Sequence, residues 1–142
     1  MKKKIYPMPG DIAEAGTFAG KLAFSNAVKM TGGEMLFISG QLAFNEEMVL
    51  IGKGDIEAQT RQVLENIKKA IETAGGTFND IVQVQVYVTG LEDFRKIHDV
   101  RLACFDPDHL PASTLVKVAG LAHEDALIEI NAIAMIQRRV DV

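Results

Sequence analysis

The sequence predicts an α+β fold in which two amphipathic helices cover one face of a single mixed β-sheet. Two observations predict it. Segments of strand and helix periodicity follow one another in the order β-β-α-β-α-β-β, and the clearest strand segments have one apolar and one polar side. With 142 residues, 48% of them hydrophobic, and no repeat or low-complexity linker, the chain is expected to form a single domain over residues 1–142.

Composition and charge argue against several classes of function. The formal net charge of −4 disfavours a dedicated nucleic-acid binder, so Lys2–Lys4 and Arg138–Arg139 are interpreted as solvated ends of the chain. No apolar run approaches the roughly 20 residues of a membrane span, and the single cysteine fits a reducing compartment. The protein is therefore expected to be cytoplasmic and to bind neither nucleic acid nor membrane.

The first part of the chain predicts short elements separated by glycine and proline. Residues 1–20 are weakly patterned, and the prolines and glycines between residues 7 and 20 disfavour a long regular element there. An edge strand is predicted over residues 24–30, and the glycines within 31–34 suit the positive φ of a tight hairpin. Residues 35–41 are apolar without alternation, which indicates a central strand covered on both sides, and residues 45–54 are predicted to be a loop.

Asp55 is a suitable N-cap for a helix whose apolar positions recur at helical spacing. The helix is predicted to end at Gly75-Gly76, because glycine readily adopts the left-handed conformation of a C-terminal cap. Residues 81–88 alternate over their whole length and predict a strand, and a second helix is predicted over residues 91–105. The inward positions of the first helix are Ile56, Thr60, Val63, Leu64, Ile67, Ile71 and Ala74.

Residues 111–136 have the pattern of two strands joined by a short polar turn. In the first strand Ser113, Leu115 and Lys117 share one side, and in the second Glu129 and Asn131 lie opposite an apolar side. A slip of one residue would exchange the two sides, so the pattern fixes the register. We expect any functional site to lie on a side shared by Ser113, Lys117, Glu129 and Asn131. The apolar side of the second strand consists of Ile128, Ile130, Ala132, Ala134 and Ile136.

The face of the sheet that the helices leave uncovered predicts association of several copies of the chain. It is expected to carry polar residues next to apolar ones, and is too apolar in places to stay fully hydrated. Oligomerisation is the simplest way to cover it, and a site between subunits would follow. The residues assigned to this face are Gln83, Gln85, Tyr87, Leu115, Lys117, Leu127 and Glu129.

The sequence contains none of the common phosphate, dinucleotide or zinc motifs, since GxxxxGK[ST], GxGxxG, paired CxxC and HExxH are all absent. His98, His109 and His123 lie on three separate elements, so surface or packing roles are favoured over a metal site. Cys104 is predicted to be a small buried hydrophobe rather than a nucleophile, because no neighbouring base is identifiable. No metal or cofactor is expected.

Glu129 is the strongest candidate for a chemical role. A carboxylate within an apolar strand needs a partner, because burying it without one is costly. Lys117, expected on the neighbouring strand, would make it a structural ion pair, whereas a bound water would make it a proton carrier. The residues leave these two alternatives open. Ser39 and Gly40, at the end of a strand, could present backbone N–H and C=O groups to a ligand.

Four strings are shared with a known family: FISGQ at 37–41, GDIEAQTRQVLENI at 54–67, PA at 111–112 and IEINAIA at 128–134. With the order of elements, they resemble the Rid family, also called RidA, YjgF or L-PSP. The resemblance extends over residues 24–136. It implies a chorismate-mutase-like α+β fold assembled as a homotrimer, with the three sheets facing inward as a barrel and ligand clefts between subunits.

The resemblance also implies an activity. Active members of the family are enamine/imine deaminases, which hydrolyse intermediates such as 2-aminoacrylate to a keto acid and ammonia without a metal or cofactor. The family's water-positioning glutamate matches Glu129, and the backbone at Ser39-Gly40 is retained. The arginine that clamps the substrate carboxylate is replaced by Ser113, and a tyrosine is replaced by Phe24.

These departures predict an altered ligand. Serine cannot replace the bidentate fork of an arginine, so little activity towards 2-aminoacrylate is expected. Lys117 stands where the family usually has an acidic residue, and we hypothesise that it supplies the missing positive charge from a displaced position. Two functions stay open: a deaminase acting on another small carboxylate or imine, or a ligand-binding trimer without catalysis. The acidic balance disfavours the family's older description as an endoribonuclease.

Overall fold

The computed structural model, which describes residues 2–6 and 22–137, contains six strands and two α-helices. The sequence predicts five of these strands, and the strand over residues 2–6 is not among them. This arrangement confirms the α+β class. The expectations for residues 7–20 and for Arg138–Arg139 concern positions outside the described residues. The strands are β1 Lys2–Tyr6, β2 Ala27–Thr31, β3 Glu34–Gln41, β4 Ile81–Val88, β5 Ala112–Lys117 and β6 Ile128–Ile136, and the helices are α1 Ile56–Thr73 and α2 Phe94–Cys104.

Helix α1 forms as its capping residues predict. The Asp55 side chain accepts a hydrogen bond from the Ala58 backbone N–H at 3.1 Å, and Gly75 follows the C-cap with φ of 86°. Its apolar stripe is buried against the sheet from Ile56 to Ile71, whereas Ala74, predicted to belong to the stripe, is the C-cap and is exposed. Neither of the two helices in the described residues is long and apolar enough to span a membrane.

Helix α2 is shorter than predicted. It begins at Phe94 rather than at Leu91, because a turn closed by the hydrogen bond from Phe94 N to Leu91 O at 3.2 Å precedes it. The prediction that Cys104 is buried is wrong: this last residue of the helix is exposed. Burial is confined to the middle of the helix, at Ile97, His98, Val100 and Arg101.

The main sheet has the strand order β3-β6-β4-β5. Strand β6 is antiparallel to both β3 and β4, whereas β5 is parallel to β4. The expectation that the last two strands are neighbours is therefore wrong, because β4 lies between them. Residues 118–127 form a connection long enough to carry the chain past β4, and no tight hairpin joins β5 to β6.

Strand β6 shows how the two faces of this sheet differ. Its residues 128, 130, 132, 134 and 136 are buried, while the residues between them are only partly buried. Val84, Val86 and Val88 of β4 are buried on the same side and pack with the apolar residues of both helices. We call this side the helix face and the opposite side the open face. The core of the molecule lies between the helix face, α1 and α2.

Strand β3 lies at the edge of the sheet, which contradicts its prediction as a central strand. Leu36 and Ile38 contribute to the core, whereas Met35 and Phe37 point to the open face and are 57% and 68% exposed. Residues 35–41 are therefore apolar without alternation because both sides of β3 carry apolar residues. This chain covers only one of these two sides. The second apolar side is available to another molecule.

The segment before β3 pairs differently from the prediction. Gly32 and Gly33 adopt positive φ, 73° and 100°, as expected of a tight turn. However, β2 pairs with β1 in a separate two-stranded sheet, so the turn joins two sheets and closes no hairpin. The predicted strand over 24–30 begins at Ala27, because Ser25 instead donates its backbone N–H to Pro111 O at 2.8 Å.

Lys3 fastens β1 to the body of the molecule and is not a solvated terminal residue as predicted. Its ammonium donates hydrogen bonds to the carbonyl oxygens of Asn79 at 2.9 Å, Ile81 at 2.9 Å and His109 at 2.7 Å. Burial lowers its pKa from 10.5 to about 8, although the carboxylates of Asp80 and Asp106 oppose this shift.

We expect the stability difference between the wild type and a Lys3→Met variant to change with pH in favour of the wild type. In the folded protein the pKa of Lys3 is about 8, below its ordinary value of 10.5, so the charged form of Lys3 destabilises the fold. This destabilisation disappears as the pH rises from about 8 to 10.5, because Lys3 then loses its proton in both states. Urea denaturation of both proteins across this range measures the difference. Lys4→Met, at an exposed neighbour, corrects for the change in net charge. A difference independent of pH would contradict the assignment.

Candidate functional site

Polar side chains gather on the open face at one end of β4 and β6. Glu129 lies opposite Tyr87, and Asn131 lies opposite Gln85. The Tyr87 hydroxyl and the Asn131 amide both donate to Gln85 Oε1, each at 3.2 Å. Asn131 Oδ1 is buried and has no hydrogen-bond donor among the described residues. This patch therefore holds an acceptor and a carboxylate that a ligand or a neighbouring molecule could satisfy.

A bulge in β3 brings Ser39 and Gly40 against this patch. The pairing of β3 with β6 shifts between Ile38 and Gln41, so that two residues of β3 oppose one residue of β6. Gly40 then lies against the Glu129 side chain: a Cβ at residue 40 would overlap Glu129 Oε1 and come within 2.9 Å of its Cδ. The absence of a side chain at position 40 thus permits the observed position of the Glu129 carboxylate.

Two open depressions lie beside this carboxylate, and Gly40 and Glu129 border both. One, of about 440 Å³, also contains Ser39, Tyr87 and Asn131. The other, of about 500 Å³, extends towards α1 and the loop after β3. The structure therefore brings together the sequence-predicted residues Ser39, Gly40 and Glu129.

Helix α1 holds the loops around this patch with amide side chains that were not among the predicted site residues. The buried amide of Gln59 donates to Gly52 O at 3.0 Å and to Asp125 O at 2.9 Å, and accepts from Leu127 N at 2.8 Å. Asn66 donates to Leu42 O at 3.1 Å and Phe44 O at 2.8 Å. The signal was a stripe of amides at helical spacing, residues 59, 62 and 66, on an otherwise apolar flank.

Phe24 and Ser113 lie elsewhere, in the lining of a cavity of about 240 Å³ between α2 and β5. The register of β5 with β4 pairs Ser113 with Val84 and Leu115 with Val86, which puts both side chains on the helix face. The full lining is Phe24, Phe94, Ile97, His98, Arg101, Ser113 and Leu115.

The expectation that Ser113, Lys117 and Glu129 share one side of the sheet is therefore wrong, as is the assignment of Leu115 to the uncovered face. Lys117 pairs with Val88 on the helix-face side of β5, and Glu129 points to the open face. Lys117 is exposed and makes no ion pair with Glu129 in the described part of the chain. It also lies four residues beyond Ser113, about 13 Å along the strand, and does not line the cavity.

The histidines do not converge on a metal site. Among residues 2–6 and 22–137, no group of three or more histidine, cysteine or carboxylate side chains could hold a metal ion. His98 is buried in the wall of the cavity described above. His123 caps a turn by accepting a hydrogen bond from Asp125 N at 3.1 Å. These positions agree with packing and local roles.

Comparison with known proteins identifies several similar to this chain. A family model described as Endoribonuclease L-PSP matches residues 17–136. A RutC family protein from Pyrococcus horikoshii is 45% identical over 111 residues, which are 78% of this chain and 85% of that protein.

Solved structures agree in fold. The Rid-family protein YyfB from Yersinia pestis, described as of unknown function, has a TM-score of 0.82 and 30% identity, covering 96% of this chain and 100% of its own. E. coli TdcF, crystallised with bound serine, has a TM-score of 0.67 and 32% identity, covering 80% of this chain and 88% of its own.

We expect a Gly40→Ala substitution to displace the Glu129 side chain with little loss of stability. The atoms that a new Cβ would meet belong to a flexible side chain, which can rotate away at a cost of about 1 kcal/mol. A crystal structure of the variant gives the carboxylate position, and a thermal melt gives the stability. Gly120→Ala is the matched control, because Gly120 borders the same depression and has nothing within 4 Å of a Cβ. An unmoved Glu129 carboxylate in Gly40→Ala would contradict this account.

Proposed function

The chain belongs to the Endoribonuclease L-PSP family, the Rid/YjgF group, and on this basis we propose that it binds small carboxylate or imine metabolites between the subunits of a homotrimer and hydrolyses an imine to a keto acid and ammonia. The observation that carries this proposal is the Glu129 carboxylate, held beside Gly40 on a sheet face that the chain leaves open. The proposed reaction needs no metal or cofactor.

The open face supports an assembly because it is divided into two regions. Around Glu129 and Asn131 it is polar, whereas further along β6 the residues Ile133 and Met135 pair with Phe37 and Met35 of β3. The apolar region is the part that gains most from burial against another copy, and the polar region would then border a cleft. Three such faces turned inward form the barrel that the family resemblance implies.

The separation of the candidate residues also supports a site between subunits. Phe24 and Ser113 lie on the helix side of the sheet, and Glu129, Ser39 and Gly40 lie on the open face. Groups on opposite faces of one sheet cannot touch the same small ligand. A cleft in which the cavity of one copy faces the Glu129 patch of its neighbour unites them, and this is the arrangement we propose.

Imine hydrolysis requires a group that moves protons to and from a water molecule. In the proposed reaction the water oxygen bonds to the imine carbon, the C=N π electrons pass to nitrogen, and Glu129 transfers the water's proton to that nitrogen. The carbinolamine then loses ammonia: the C–N bond breaks, nitrogen takes the hydroxyl proton, and the carbonyl of the keto acid forms. The open depressions beside Glu129 have room for such a water.

The proposed ligand class is based on one relative and on two positions at which this chain differs from the family pattern. TdcF binds serine, which suggests an amino-acid-like carboxylate for this chain as well. Ser113 and Phe24 lack the guanidinium and hydroxyl groups of the family pattern, and they border a largely apolar cavity. We therefore propose a substrate with a larger apolar part than 2-aminoacrylate.

A second candidate is a trimer that binds ligands without catalysis. Ser113 and Phe24 favour it, because they lack the arginine guanidinium and the tyrosine hydroxyl that the family pattern has at these two positions. Glu129 favours the enzyme, because a binding cleft has less use for a carboxylate within an apolar strand. The family's description as an endoribonuclease gains no support from the net charge of −4.

We expect Glu129→Gln to reduce imine hydrolysis on the order of 100-fold, since general acid–base groups typically contribute at least this much. The assay measures ammonia and keto acid released from imines generated in situ by oxidation of several apolar amino acids. Glu57→Gln, on the exposed side of α1, is the matched control and is expected to retain full activity. Absence of release by the wild type with every imine would favour the non-catalytic trimer.

We expect Phe37→Glu to dissociate the trimer. A charge in the apolar half of the open face would have to be buried without a partner on assembly. Sedimentation velocity should give about three times the 15.5 kDa chain mass for the wild type and a single chain for the variant. Leu91→Glu, at an apolar residue that is 52% exposed outside the open face, should remain trimeric. A monomeric wild type would overturn the assembly and the shared cleft.

A further inference from the structure

The cavity beside Ser113 contains a buried positive charge. Arg101 reaches it from α2 and is only 5% exposed. Its guanidinium makes one hydrogen bond, from Nη2 to Ala23 O at 3.4 Å, and forms no ion pair among the described residues. No other acceptor is recorded for its N–H donors in this part of the chain, and none of its nitrogens is both fully buried and unpartnered, so the remaining donors keep some exposure at the cavity.

A buried guanidinium without a counter-charge is costly, and its cost indicates an anionic partner. Burial alone lowers the pKa of Arg101 to about 10, so the group still carries its charge at neutral pH. A carboxylate fits a guanidinium in a bidentate manner and would satisfy two donors at once.

We propose that Arg101 is the carboxylate anchor of this cavity, taking over from α2 the role that the family resemblance assigns to an arginine at position 113. This inference rests on the proposed function for the identity of the site and adds the residue that binds the ligand's charge. Ser113 is small, so it leaves open the space that a long side chain on β5 would occupy. In this proposal the positive charge that binds the carboxylate lies on α2 instead of β5. Arg101, rather than Lys117, then supplies the charge that is missing at position 113.

The rest of the lining defines the other part of the ligand. Phe24, Phe94, Ile97 and Leu115 surround the guanidinium with apolar surface. The cavity of about 240 Å³ has room for roughly eight water-sized groups, at about 30 Å³ each. The expected ligand is therefore a small carboxylate with a branched or straight aliphatic chain, such as a 2-keto or 2-imino acid of this size.

The experiment measures binding without catalysis. Isovalerate and its neutral isostere isovaleramide are titrated into the wild-type protein and followed by ¹H–¹⁵N chemical shifts. We expect isovalerate to bind at least about tenfold more tightly than the amide, because only the carboxylate forms charge-assisted hydrogen bonds. Arg101→Gln should weaken isovalerate about 30-fold or more and abolish the preference, whereas Arg101→Lys should retain part of it.

Two further variants complete the test. Arg61→Gln, on the exposed side of α1, is the matched control and should bind isovalerate as the wild type does. Ser113→Leu fills the cavity without altering α2, so it should block binding even if Arg101→Gln does not fold. Unchanged affinity in a folded Arg101→Gln, retained affinity in Ser113→Leu, or equal affinity for the amide would each overturn the proposal. The proposal would also be overturned if the wild type did not bind isovalerate, or if Lys117→Ala lost binding while Arg101→Gln retained it.

These results are separable from failure of the proposed function. Arg101-dependent binding of isovalerate with no imine hydrolysed would support the anchor and reject the deaminase. Imine hydrolysis with unchanged isovalerate affinity in Arg101→Gln would support the deaminase and reject the anchor.

Discussion

Strand alternation gives a β-sheet two faces, and both helices of this chain pack on the same one. Every second residue of β6 is buried in that core, and the intervening residues are left on the open face. The open face contains both apolar residues, such as Phe37, and the Glu129 carboxylate. This one-sided packing explains why a chain with a well-formed core still carries exposed apolar surface, and why its candidate site lies at that surface.

The position of Glu129 depends on contacts made far from it in sequence. The bulge at Ser39 and Gly40 provides space for its carboxylate, and the buried amide of Gln59 fixes the segment from which β6 starts. Because these supports come from β3 and α1, the site is held by regular elements rather than by loops alone. A carboxylate held this way can be oriented towards a ligand without rearrangement.

Much of the fold could be predicted from local patterns. The cap at Asp55, the glycines after α1 and the alternation of β4 each fix an element through interactions between residues close in sequence. The strings shared with the Rid family gave the fold class and pointed to Glu129 and Gly40, which do lie together. Helical spacing places Arg101 on the same side of α2 as Ile97 and Val100, but it does not show that this side borders a cavity beside Ser113.

The sequence by itself determined both helices, five of the six described strands, the alternating sides of the strands and the family, because these depend on local spacing and on shared strings. Only the tertiary structure decided which strands are neighbours and therefore which sides coincide. With β4 placed between β5 and β6, Ser113 and Lys117 lie on the helix side and Glu129 on the open face. The alternation of one strand gives no information about its partner, since register and order are set by long-range hydrogen bonding and core packing. The same packing brings Arg101 to Ser113.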